Sequence, residues 1–361
     1  MRIAVFSRWN ATCGVSLHAE LIVREWASQG HKVVVFAPVI EEEPIDWHHK
    51  KIDVEDEAWV YRVYMETKEN DSGNIKIPPE IDLRSFDAIL VESYPFIPYK
   101  DIYDILREVR GSVKTFIVVH ESSREEASRL SKIVDVVDGI IVFDNRFITE
   151  VLGAYYSRIR RKVHIIPYPC YDRLEDVKKI KKRIFGDPEI VFISYGRQPK
   201  EEYFDYIEAV KKIREVYGYE AVYKIIRSDS LIEEANFAWV EQKIERPSIE
   251  KVLNYLISAD IHLLPKGKVP RTVVSSTIAQ SLTALVPTVV PNTRHFELIP
   301  EDEYGVGPVV KYRNLLDLEY KLLKLIEDEE FRKKVIASAE KYVQERSHKR
   351  IAMDFIKLFE Q

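Results

Sequence analysis

Short runs of β-branched and aromatic residues alternate with stretches of helical period along most of the chain. RIAVF at 2–6, KVVVFA at 32–37, AILV at 88–91, TFIVV at 115–119, GIIVF at 139–143 and VHII at 163–166 are such runs. Continuous apolar runs this short, rather than alternating ones, read as strands buried on both faces. The stretches between them have helical spacing. In residues 15–29, Leu17, Leu21, Ile22 and Trp26 share a face and Gly30 offers a C-cap. Strand and helix in alternation imply a parallel, doubly wound α/β sheet. The pattern then recurs with IVFI at 190–193, AVYKII at 221–226, IHLL at 261–264 and TVV at 288–290. A chain of 361 residues exceeds one average core, so two domains are expected. Residues 1–169 make the first, 170–186 a linker helix, 187–340 the second and 341–361 a terminal helix. Residues 41–79 read as irregular, and 124–134 and 272–284 as helices.

In parallel sheets of this kind, ligands sit outside the carboxyl ends of the strands. The run at 190–193 ends at Gly196, and Arg197 and Lys200 follow. A helical pattern through Tyr203, Tyr206, Ile207, Val210 and Ile213 comes next. Two cations on a loop that opens a helix make a seat for a phosphate or diphosphate. The run at 221–226 leads to Arg227, and that at 115–119 to His120. The loop after the first strand offers Gly14 alone, so the G-x-G-x-x-G dinucleotide fingerprint is absent.

Composition narrows the partners. A net charge of −5 gives no overall pull toward nucleic acid, and none is expected as a partner. Cys13 and Cys170 form neither a disulfide framework nor a metal pattern, and read as small buried hydrophobes. His48 and His49 are adjacent and cannot share a helix face as metal ligands, so no metal is expected. The linker stretch 172–185 carries Lys178, Lys179, Lys181, Lys182 and Arg183 on one face. Such a face suits solvent, or a peripheral contact with anionic lipid at the inner membrane face. No apolar run reaches ~18 residues and no signal peptide precedes the first strand, so a cytoplasmic protein is expected. Charged residues at 31% with only 12 glycines have a thermophile's profile.

Taken together, these residues resemble the retaining nucleotide-sugar glycosyltransferases of family 4, which have the GT-B fold. The resemblance runs through Gly14 before a helix, Gly30-His31-Lys32-Val33, Val118-Val119-His120 and Val163-His164-Ile165-Ile166-Pro167. It continues through Tyr195-Gly196-Arg197, Ala259-Asp260-Ile261, Pro287-Thr288-Val289-Val290 and Phe296-Glu297-Leu298-Ile299. It implies two Rossmann-like domains facing a cleft, with a terminal helix crossing back to the first. It also implies hexosyl transfer with retention from a nucleoside-diphosphate sugar to a carbohydrate or lipid-linked acceptor, with no tightly bound cofactor. By the same resemblance, Arg197 is the diphosphate arginine, His120 the histidine near the donor sugar, and Gly14 the loop glycine by the diphosphate. The family's paired glutamates, eight apart, are missing. Counting back from Pro287 puts Thr272 and Gln280 in their places. Gln280 can still bond a ribose hydroxyl, whereas Thr272 cannot supply a carboxylate's charge.

The chemistry expected is stabilisation of the departing diphosphate by Arg197 and Lys200, with backbone N–H groups from Thr272, Val273 and Val274. His120 would orient the donor sugar, and Arg227 is a further donor-side candidate. One alternative is an inverting enzyme with His18 as the base that activates the acceptor. Others are a non-catalytic binding or partner subunit of the same fold and a nucleotide-sugar epimerase.

Overall fold

The apolar runs do form parallel strands. In the first sheet these are β1 (Arg2–Phe6), β2 (Lys32–Pro38), β3 (Val60–Tyr64), β4 (Ala88–Ser93), β5 (Lys114–Val119), β6 (Gly139–Val142) and β7 (Val163–Ile165). The second sheet has β8 (Ile190–Tyr195), β9 (Ala221–Arg227), β10 (Val240–Ile244), β11 (Ile261–Leu263), β12 (Thr288–Pro291) and β13 (Val310–Tyr312). The structure is a computed structural model, and it describes residues 1–39, 54–67, 72–172 and 190–361.

Strand order in the seven-stranded sheet is β3-β2-β1-β4-β5-β6-β7, and in the six-stranded sheet β10-β9-β8-β11-β12-β13. Every pairing is parallel, with Ile3 facing Val33 on one side and Ala88 on the other. Both sheets start in the middle, wind outward one way, then return and wind the other. Each therefore has one switch point, between β1 and β4 in the first and between β8 and β11 in the second. Loops leave such a point in opposite directions and open a crevice at the strand ends.

The chain divides into two units, one around each sheet. The first comprises Met1–Pro169, Arg271–Ser276 and His348–Gln361, and the second Cys170–Pro270 and Thr277–Ser347. In the first unit, helix Gly14–Ser28 buries Leu21, Ile22 and Trp26, as its spacing predicts, while Leu17 of the same face is half-buried. The Cys13 thiol caps its start, accepting from Ser16 N–H at 3.4 Å, and Gly30 ends it at φ +85°. The last helix, His348–Phe359, packs its apolar stripe beside it. Trp26 donates its indole N–H to the Ala352 carbonyl at 2.9 Å, and its ring lies 5.6 Å from that of Phe359. In the second unit, Phe192, Tyr206, Val210, Tyr223, Leu318 and Leu322 make the core on one face of the sheet.

Three expectations need correction. Residues 41–79 are not wholly irregular, because β3 adds an edge strand whose Val60 pairs with Val35. Arg62 in its middle hid the signal, since its guanidinium is turned back onto Asp56 at 2.9 Å and the Trp9 carbonyl at 3.0 Å. The helix expected over 272–284 starts only at Ser276. Thr272 N–H donates instead to the Ser122 carbonyl at 3.0 Å, so the preceding residues are held as a loop. The helix expected over 124–134 is broken into short turns, Arg124–Ala127, Ser128–Ser131 and Ile133–Val136. The linker helix with its basic face, and His48 and His49, lie outside the described residues. Among the described residues, no helix is long and apolar enough to cross a membrane.

Candidate functional site

The first unit holds a cavity of about 480 Å³ at the carboxyl ends of its strands. Its walls come from the loop after β1 (Arg8, Cys13, Gly14), the segment after β4 (Tyr94, Phe96) and His120 after β5. Phe143, Tyr168 and the loop from Arg271 to Val274 complete it. Gly14 stands at the start of its helix, where its carbonyl accepts from the Tyr168 hydroxyl at 2.6 Å. A methyl group there would meet Ser276 at 3.4 Å, so neighbouring atoms tolerate more than a hydrogen.

His120 is the cavity's most constrained polar group. Its Nε2–H donates to Glu92 Oε2 at 2.5 Å. Glu92, the penultimate residue of β4, is fully buried, and its other oxygen accepts from His18 Nδ1 at 2.8 Å. Burial alone would raise the Glu92 carboxyl. The His18 and His120 rings against it more than reverse that and hold it at about 2. Burial pushes the His120 imidazole below its usual range, and Glu92 offsets this only in part. A second buried acid, Glu121, accepts from Ser93 Oγ at 2.6 Å and the Tyr99 hydroxyl at 2.5 Å, and burial pushes its carboxyl up.

His18, Glu92 and His120 also form a group whose donor atoms lie within 4.8 Å of one another, a spacing open to metal ligands. Their contacts are hydrogen bonds instead. Two ligands of one ion, each ~2.1 Å from it, stand farther apart than the 2.5 Å between His120 and Glu92.

The Thr272 hydroxyl donates to Glu150 at 2.9 Å, so both its N–H and its side chain are taken up by the first unit. The Val273 carbonyl accepts from Arg146 at 3.0 Å, and Arg271 pairs with Glu126 at 2.7 Å. The expected N–H contribution of Thr272 to an anion is therefore withdrawn. Arg8 is also engaged, gripping Glu66 through Nε at 2.6 Å and Nη2 at 2.9 Å.

The second unit has its own cationic point at the switch between β8 and β11. Arg197 follows β8 by way of Gly196, whose φ of +125° favours glycine. Lys266 follows β11. Burial, and then the Arg197 charge, push its ammonium below the usual range, while Glu202 pulls the other way. Among the described residues Lys266 Nζ has no ion-pair or hydrogen-bond partner.

The other donor-side expectations fare differently. Lys200 is about half exposed and pairs with Glu234 at 2.6 Å, so it is turned to solvent chemistry. Arg227 is buried and braces the loop, donating to the Gln198 and Ser230 carbonyls at 2.7 and 2.8 Å and to Asp229 at 2.9 Å. Gln280 accepts from the Tyr195 hydroxyl at 3.2 Å. Sequence reasoning passed over Glu92, which follows directly on the AILV run, and Lys266, which stands two residues past the IHLL run.

No family model matches the chain. It is similar over its whole length to the Anabaena protein HepE, solved with UDP and glucose, with TM-score 0.67, 12% identity and all of that chain covered. An alpha-glucosyltransferase solved with UDP-glucose and DNA containing an abasic site gives TM-score 0.70 at 12% identity, both chains fully covered. A trehalose-6-phosphate synthase, studied for glycosyltransfer with retention, gives 0.65 at 10%, covering 100% of this chain and 99% of the other. At such identities the likeness speaks for the fold, and the chain has the two-sheet GT-B fold of these structures.

Proposed function

We propose that the chain is a glycosyltransferase of family 4 character that moves a hexosyl group from a nucleoside-diphosphate sugar. The acceptor is a carbohydrate or a lipid-linked sugar. The observation that carries this reading is the pairing of Arg197 with Lys266 at the switch point of the second sheet. The Arg197 charge acts on the buried Lys266 ammonium, with Glu202 opposing it, and an anion seated there would draw on both cations. Arg197 offers a planar fork for two phosphate oxygens and Lys266 a point charge. As the sugar–phosphate bond breaks, charge builds on the departing diphosphate, and these preorganised cations stabilise it. Lys266 thus takes the part first expected of Lys200. UDP is the natural donor nucleotide to try, since two of the structures named above were solved with it or with UDP-glucose.

Retention is the stereochemistry that fits best. The inverting alternative needs His18 to reach an acceptor hydroxyl. His18 is completely buried behind His120, with the Phe143, Tyr168 and Phe355 rings 5.3, 5.3 and 5.9 Å from its own. The cavity of the first unit, with its aromatic walls and paired charges, suits a polyhydroxyl ligand.

The test is release of free nucleoside diphosphate from a panel of nucleotide sugars, with and without simple glycosides as acceptors. Turnover above background, abolished in Lys266→Ala and Arg197→Ala, supports the proposal. Absence of turnover, with no nucleoside diphosphate raising the melting temperature, would leave a non-catalytic protein of the same fold.

A further inference from the structure

We propose that Glu92 is a positioning residue that fixes which nitrogen of His120 faces the cavity. The inference rests on His120 being the ligand-facing group of the first unit, as read above.

The geometry is restrictive. Glu92 has one oxygen on each histidine, Oε1 with His18 Nδ1 and Oε2 with His120 Nε2. A carboxylate only accepts, so each ring must present an N–H to it. For His120 this places the proton on Nε2 and leaves Nδ1 as the atom for the cavity. Among the described residues Nδ1 has no hydrogen-bond partner, and it is not sealed from solvent. While the ring is neutral, Nδ1 is a bare acceptor, suited to a hydroxyl of a bound sugar.

His18 completes the device. Its Nε2 is sealed among aromatic rings and, among the described residues, has no partner. A proton there would be a buried donor with nothing to bond, which costs more than a lone pair in the same place. His18 therefore carries an N–H on Nδ1, aimed at Glu92. It hands the carboxylate one N–H from behind and leaves the other oxygen for His120. The ionisable groups around His120 are Glu92, His18 and Glu121. Glu121 is occupied with Ser93 and Tyr99, so Glu92 alone sets the His120 proton.

The test is ¹⁵N-edited NMR of the histidine rings in the full chain, which reads tautomer and titration without any donor or turnover. In the parent, His120 should show the Nε2–H tautomer with an unprotonated Nδ1. Glu92→Gln keeps the shape, but its amide can accept from one ring only and must donate to the other. In that variant at least one of the two rings should invert its tautomer. The apparent pKa of His120 should also fall by about one to three units as the opposite charge is lost. Because the parent spectrum is itself decisive, a poorly folded variant does not rescue the idea. An Nδ1–H tautomer in the parent, or a Glu92→Gln protein with both rings unchanged, overturns the assignment. So would stoichiometric zinc shifting both rings together, which would make the cluster a metal site. If no donor is ever turned over, the spectrum still decides this question separately.

Discussion

Arg227 Nη1 donates to the carbonyl oxygen of Gln198 at 2.7 Å, tying the residue after Arg197 to the end of the neighbouring strand β9. The same guanidinium lies over the Tyr203 ring, 5.2 Å from its centre. The loop that carries Arg197 is therefore braced by a second, buried arginine. Arg227→Met should lower the stability of the chain by on the order of 3 kcal/mol, since it removes a buried charge and orphans its acceptors. Nucleoside diphosphate binding should weaken as well, because the Arg197 loop loses its brace. Urea unfolding and calorimetric titration check the two effects.

Lys200 and Lys266 should part company. Lys266→Ala should weaken diphosphate binding tenfold or more, about 1.4 kcal/mol. Lys200→Ala should leave both binding and the unfolding midpoint where they were, because its partner Glu234 is itself about half exposed. Equal effects from the two variants would place the phosphate elsewhere.

Glu92 makes stability depend on acid. Its carboxyl lies at about 2 in the folded chain, against an ordinary value of 4.5. The unfolded chain takes up that proton first as the pH drops. The stabilisation is fully present above pH 4.5 and is lost as the pH falls toward 2. Unfolding at stepped pH should show the gap between the parent and Glu92→Gln closing over that window.

His262 acts in a different window. Burial holds its imidazole at about 3, against 6.5 ordinarily, so it is neutral in the folded chain. The unfolded chain binds the proton first, and the stabilisation present above pH 6.5 is lost as the pH falls toward 3. His262→Leu should flatten the slope of stability between pH 6.5 and 4.5. An unchanged slope would mean the ring reaches solvent.

Much of the architecture was legible because burial writes itself into composition. The runs from RIAVF to IHLL are strands because only a parallel sheet covered on both faces hides them. Where a polar side chain turns inward the signal failed, as with Arg62 in β3. In β13, Lys311 interrupts Val310 and Tyr312 and left too little apolar run to see. His120 directly follows a strand run and Arg197 stands one glycine beyond another, so both could be picked out. Glu92 and Lys266 could not, since their importance comes from what stands opposite them in space. The pairing of Lys200 with Glu234 was hidden for the same reason, since it too comes from what stands opposite in space.

The central claim is that Arg197 holds a diphosphate. The most direct measurement is isothermal titration of UDP, UMP and uridine into the parent chain and Arg197→Ala. The parent should bind UDP more tightly than UMP. The variant should lose tenfold or more of its UDP affinity while uridine is hardly affected. If Arg197→Ala binds UDP as the parent does, or the parent does not distinguish UDP from uridine, the phosphate seat is wrong and the glycosyltransferase reading loses its main support.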